Sequence, residues 1–277
     1  MKKLNLLILI SFVSIVSFMS CNKKEEIINE KKEYNSQTIK EIISIQNKFE
    51  YSTQLVEQAK DYNKGNHFAF RDDCPDVSSS NSFGHFPNTI TIDFGAGCEV
   101  NDSLLVSGKI LVTFYGFMNH SGDSLTTEYQ NFTVNGNELT GIYVVKNLGK
   151  DDEGYRNISK ELRNGYITLD SGENASYQFS RTVRYSINNT PFNSDDDELR
   201  VLGNFSGDNI DGDSYSGIIK TELVMPVDCG CFVSGEQEIT INSEDVYNLN
   251  FGDGTCDNTA TLTLPDGSTE EIEVCNH

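Results

Sequence analysis

Three aspartates, Asp208, Asp211 and Asp213, fall within the run Gly207-Asp208-Asn209-Ile210-Asp211-Gly212-Asp213. Oxygen-rich turns of this kind bind Ca²⁺, but Ile210 stands at the third loop position, where an EF-hand needs a ligand. The competing reading is a hairpin turn at Asp211-Gly212, between strands over 201–205 and 215–224, and it is the preferred one. Asp195-Asp196-Asp197-Glu198 and Asp151-Asp152-Glu153 are acidic runs, read as solvated loops with weak Ca²⁺ affinity as the alternative. No other cofactor is expected. The four histidines form no His-Glu-x-x-His motif, and no Gly-x-Ser-x-Gly elbow, phosphate loop or dinucleotide fingerprint occurs. A glycosidase holds two carboxylates ~5–10 Å apart across a cleft; among 42 acidic residues no such pair stands out, and no catalytic residue is assigned. His67 and His85 flank Cys74 in a stretch with Phe68, Phe70, Phe83 and Phe86. A Cys–His nucleophile is conceivable there, and a disulfide among packing aromatics is the simpler reading.

The cysteines carry more. Lys2 and Lys3 precede an apolar run, Leu4 to Met19, that ends in Phe18-Met19-Ser20-Cys21. Sixteen residues fall short of the ~18–20 that span a bilayer and suit the h-region of an export signal. The end of the run resembles a bacterial lipobox, with Cys21 the residue that is lipidated and becomes the N-terminus. Phe18 departs from the usual Leu. Asn22-Lys23-Lys24-Glu25-Glu26 resembles the surface-export signal of Bacteroidota lipoproteins. The expectation is therefore a protein held on the outer membrane by acyl chains on Cys21, exposed at the cell surface, with the periplasmic face as the alternative.

Six cysteines remain: Cys74, Cys98, Cys229, Cys231, Cys256 and Cys275. An even number in an exported chain implies disulfides. Short loops favour Cys74 with Cys98 and Cys231 with Cys256, which leaves Cys229 for Cys275. Cys229-Gly230-Cys231 lacks the spacing of a zinc or thioredoxin-like motif.

Composition narrows the partners. The 277 residues carry a formal charge of −21, which becomes −23 once residues 1–20, with Lys2 and Lys3, are removed. So acidic a chain is not a nucleic-acid binder. Asp102-Ser103-Leu104 and Asp123-Ser124-Leu125 resemble the Bacteroidota O-glycosylation pattern, which makes Ser103 and Ser124 acceptor candidates.

The elements that must position these residues follow from periodicity. Residues 21–35 read as a charged tether. Residues 36–66 read as a helix, with Ile39, Ile42, Ile43, Gln46, Phe49, Leu55, Val56 and Ala59 at three- and four-residue steps. Residues 67–277 switch to period two, as in Ile90, Ile92, Phe94 and in Ile110, Val112, Phe114, with Asn-Gly and Asp-Gly pairs as hairpin turns. The fold class is mainly β, an antiparallel meander closing as a barrel, half-barrel or sandwich, with one N-terminal α-helix. A domain break near 150–156 is a further option. Ile92-Asp93-Phe94-Gly95-Ala96-Gly97-Cys98 echoes Leu249-Asn250-Phe251-Gly252-Asp253-Gly254-Thr255-Cys256, which reads as two strand ends stapled by cysteines.

Thr89–Cys98, Ser107-Gly108-Lys109-Ile110 and Asn131–Leu139, with Cys231–Gly235 and Phe251–Asn258 near the end, resemble a Flavobacterium-type family of Bacteroidota lipoproteins over most of 70–275. Cys229 and Cys275 lie outside the shared pattern. The resemblance implies an anchored envelope protein and brings no activity with it. The leading expectation is a non-enzymatic binding or structural module with a glycan or a protein as ligand. A glycan- or peptide-processing enzyme and an envelope lipid carrier are the alternatives. A deep apolar cavity beneath the helix would favour the carrier, convergent carboxylates the enzyme, and a flat polar or aromatic face the binder.

Overall fold

The computed structural model describes residues 18–63, 74–101, 104–186 and 197–275. The described residues fall into two compact units that divide between Ile39 and Lys40, and all the strands belong to the second. Helix α1 runs Phe18–Asn63, so the stretch expected to be a tether is helical. The reason is local: no Gly or Pro occurs between Phe18 and Asn63, Lys and Glu are good helix formers, and Gly65 follows the end.

The strands are β1 Asp76–Ser79, β2 Asn88–Asp93, β3 Cys98–Asn101, β4 Leu104–Phe114, β5 Ser124–Val134, β6 Asn137–Lys150 and β7 Arg156–Thr168. They continue as β8 Asn174–Ser186, β9 Glu198–Asp208, β10 Ser214–Pro226, β11 Ser234–Ile241, β12 Asp245–Asp253, β13 Thr259–Thr263 and β14 Thr269–Glu273. All fourteen belong to one antiparallel sheet. Its order is β1-β2-β4 and then consecutive to β14, with β3 paired to β4 alone. β1 and β14 are its two edges, so the sheet is an open meander, neither a closed barrel nor a two-sheet sandwich. Residues 151–155 form the tight turn between β6 and β7, closed by Asp151 N–H to Tyr155 O at 2.9 Å, and make no domain break. Asn164-Gly165, expected as a turn, is an irregularity inside β7.

Strand alternation sends one set of side chains to a buried face. Ile90 and Ile92 of β2, Ile110, Val112 and Phe114 of β4, Tyr177 and Phe179 of β8, and Tyr247 and Leu249 of β12 are all buried. The helix residues Ile42, Ile43, Ile45, Phe49, Leu55, Val56 and Ala59 are buried too. Each such side chain contributes roughly 1.5–3 kcal/mol when fully removed from water. Partners along the helix shift from strand to strand. Lys40 Nζ lies 3.7 Å from Glu270 Oε1 of β14, Phe49 packs on Tyr177 of β8, and Ser52 Oγ lies 2.9 Å from Tyr129 Oη of β5. From β5 to β14 a flat sheet would span roughly 40 Å at ~4.8 Å per strand, whereas Lys40 and Ser52 are only about 18 Å apart along the helix, so the sheet curls around this part of the helix.

Candidate functional site

The alternation in β5 changes phase halfway along. Leu125 and Thr127 are buried, and the Tyr129 hydroxyl meets Ser52 of the helix, so odd residues point inward. Phe132 and Val134 are buried beyond them, so even residues point inward there. The extra residue is visible in the register: β4 passes from Ser107 to Lys109 while β5 passes from Thr133 to Gln130. This is a β-bulge, with Asn131 at φ 49°. Its effect is to leave two adjacent side chains, Gln130 and Asn131, both exposed on the face away from the helix.

Gly108 of β4 faces the bulge with φ 79°; a Cβ there would stand 2.1 Å from Asn131 O. Gly108 O accepts from Phe94 N at 2.8 Å, and Gly108 N donates to Gly95 O at 3.0 Å, which ties β4 to the turn after β2. Asp93 pairs in register with Lys109. Its Oδ2 lies 2.5 Å from Lys109 Nζ and its Oδ1 accepts from Gly95 N at 2.9 Å. The Lys109 ammonium, with the Gly95 N–H, holds the Asp93 carboxyl below its usual range. Asp93, Gly95, Ser107, Gly108, Lys109, Gln130 and Asn131 together line an open cleft of about 470 Å³. The Ser107 hydroxyl pairs with Thr133 Oγ1 at 2.7 Å.

The opposite face carries a buried ionic seam. Arg181 of β8 ion-pairs with Glu50 of the helix and donates to Tyr177 Oη at 2.6 Å. Lys160 of β7 lies 3.3 Å from Glu57 Oε1. Arg181 and Lys160 are 12% and 19% exposed, so these are inner-face cations matched by helix acids. Burial works against the Lys160 charge, and Tyr143 and Glu57 beside it hold its pKa well above the usual lysine range. Burial pushes the Tyr129 hydroxyl up to about 12, despite its contact with Ser52. Beside the seam, Ile43, Gln46 and Glu50 face Arg181, Ile219 and Leu249 around a cavity of about 60 Å³. Gln46 Nε2 and Arg181 Nε have no hydrogen-bond partner among the described residues. That space suits a few waters and no acyl chain.

Asp208, Asp211 and Asp213 do not converge. Asp208 accepts from Ser176 Oγ at 3.0 Å and from Ser214 Oγ at 2.7 Å, and Asp213 Oδ1 accepts from Asn242 Nδ2 at 2.7 Å. Asp213 N donates to Asn209 Oδ1 at 2.7 Å, which closes the β9–β10 hairpin turn. Among the described residues no three His, Cys, Asp or Glu side chains form a group that could hold a metal. The turn instead touches the helix, with Ile210 N donating to Glu41 Oε1 at 2.9 Å. Burial raises the Glu41 pKa, the Ile210 N–H works against that rise, and Asp211, Glu173 and Asp213 add to it. The acidic run at 151–153 is an exposed turn at Asp152 and Glu153, in which Asp151 Oδ2 accepts from Arg184 Nε at 2.9 Å and Glu153 pairs with the same guanidinium.

All six later cysteines are paired. Cys74–Cys98 matches expectation. The other two bridges are Cys229–Cys256 and Cys231–Cys275, exchanged relative to the sequence-based pairing. The two cysteines are separated only by Gly230, so loop length hardly distinguishes the alternatives. Cys229, Cys231 and Val233 form one buried group, and Cys275 packs against it. Phe83 and Phe86, expected beside Cys74, both pack on Phe117, with ring centroids 5.4 and 4.8 Å away. Ser124 opens β5 and is half-buried. The Cys21 side chain, Ser103, His67 and His277 lie outside the described residues.

Comparison with protein-family models, with curated proteins and with solved structures found no match. Sequence reasoning did not single out the cleft residues as a site, although the phase change between Tyr129 and Phe132 signals the bulge. It also missed Arg181, which shares strand parity with the aromatic residues Tyr177 and Phe179.

Proposed function

We propose that the chain is an exported lipoprotein, anchored to the outer membrane through acyl chains on Cys21 and exposed at the cell surface. Its role is to bind a ligand rather than to transform one, and the cleft at the β5 bulge is the binding site. The observation that carries this reading is the pair of exposed amides at Gln130 and Asn131. Neither side chain has a hydrogen-bond partner among the described residues, and a bulge turns both to the same side. Bulges re-aim side chains beside functional sites. Six cysteines all in disulfides support an oxidising compartment. The helix occupies the inner sheet face and leaves about 60 Å³ beside Arg181, which weighs against a resident lipid.

The test is direct. The protein is recovered from membranes of its own cells, and its N-terminal peptide is weighed by mass spectrometry, with protease treatment of intact cells run in parallel. The reading predicts an acylated peptide beginning at Cys21 and cleavage of the chain on intact cells. An unmodified N-terminus overturns the anchor, and full protection in intact cells overturns surface exposure.

A further inference from the structure

We infer that the cleft takes a neutral, hydroxyl-rich ligand, a saccharide. This rests on reading the cleft as the binding site. Three features of its lining select that chemistry. First, its charges cancel: Lys109 is matched by Asp93 at 2.5 Å, so a cation and an anion each find an opposing charge already engaged. Both Asp93 oxygens have donors, Lys109 Nζ and Gly95 N, which leaves little for a metal ion. The formal charge of −21 further disfavours an anionic ligand.

Second, the uncommitted groups are planar amides. Each offers a carbonyl acceptor and an NH₂ donor side by side. Neighbouring ring hydroxyls of a sugar each donate and accept, so one amide can serve two of them. Gln130 and Asn131 supply two such amides on consecutive residues, while the Ser107 hydroxyl opposite is engaged with Thr133 Oγ1. An apolar ligand would leave these donors and acceptors without water or partner, which is unfavourable.

Third, the floor is bare. Gly95 presents no side chain and nothing lies within 4 Å of the position its Cβ would take, whereas the space beside Gly108 is filled by Asn131 O. A ring can therefore reach the backbone. The volume of about 470 Å³ falls within the ~300–1,000 Å³ of small-ligand sites. None of the lining residues is aromatic, so hydrogen bonds open to water carry the affinity. A Kd on the order of 1 mM follows, a binding free energy of only a few kcal/mol.

The experiment uses the full-length chain in detergent and saturation-transfer NMR. Probes are the neutral tetramers of β-1,4-glucose, α-1,6-mannose and β-1,4-galactose, the acidic tetramer of galacturonic acid, and tetra-alanine, each at about 10 mM, roughly ten times the expected Kd. The variant Gln130→Ala/Asn131→Gly removes both amides, and glycine accepts the backbone at φ 49°. Gly95→Asn is the second variant; Asn tolerates φ 57° and its side chain covers the floor. The inference predicts transfer to at least one neutral tetramer, reduced roughly fivefold or more in each variant whose melting curve is unchanged. Silence of all three neutral tetramers overturns it, and so does a neutral-tetramer signal that both folded variants leave intact. Tetra-alanine or galacturonate signals lost in the variants, with neutral tetramers silent, would overturn the saccharide and leave the binding-site reading standing.

Discussion

The backbone oxygen of Asn131 lies 2.1 Å from where a Cβ on Gly108 would stand, so the bulge in β5 and the glycine in β4 are one feature. Gly108 accommodates the close approach and the positive φ together. Gly108→Ala introduces both a clash with main chain and a strained backbone. The expected loss is about 2–4 kcal/mol, measured by urea unfolding. A loss under ~0.5 kcal/mol would show that the two strands are not held this closely.

The seam beneath the helix gives a second expectation. Arg181→Met leaves Glu50 and the Tyr177 hydroxyl without their cation. Removing one partner of a buried pair costs about 3–5 kcal/mol, and the partial exposure of Glu50 lowers that to about 2. The paired change Glu50→Leu/Arg181→Met should recover at least half of the loss. A double-mutant cycle on thermal melts measures it; additive losses would contradict a coupled pair.

Glu41 supplies a pH dependence. Its folded pKa is raised, first by burial and then by Asp211, Glu173 and Asp213. For an acid with a raised pKa, the stabilising contribution is present below the unfolded value and is lost as pH rises through the folded value. At pH 7 the charge is therefore unfavourable. Glu41→Gln keeps an oxygen for the Ile210 N–H and should stabilise the protein by about 0.5 kcal/mol, since Glu41 is a half-buried helix residue. The gain should shrink as pH falls toward 4.5 and below. A gain that grows on acidification would reverse the argument.

Peptide mapping of the unreduced protein should find Cys229 joined to Cys256 and Cys231 to Cys275. Cys231→Ser/Cys275→Ser should cost about 2–5 kcal/mol, read as a lower melting temperature. Crossed peptides, Cys231 with Cys256, would contradict the geometry.

The sheet was largely legible in the sequence, because one buried face forces period two along strands such as Asn88–Asp93. β1 and β3, at four residues each, are too short to show a period and were missed. The helix from Ile42 to Ala59 shows its apolar steps, but its extension back to Phe18 depends on propensity rather than pattern. The cleft was hidden for a different reason. Asp93, Lys109 and Gln130 come from three strands, and only the register brings them together. The disulfide exchange was hidden because Cys229 and Cys231 are nearly equivalent in chain position and both belong to one buried group.

The central claim is that Gln130 and Asn131 contact the ligand. Their side-chain NH₂ resonances can be followed in the ¹⁵N-labelled full-length chain while a neutral tetrasaccharide is added. The account predicts saturable shifts of both pairs, with Gln46, at the helix and the inner sheet face, unmoved. Shifts at Gln46 with Gln130 and Asn131 unmoved would place binding on the inner face and contradict the account.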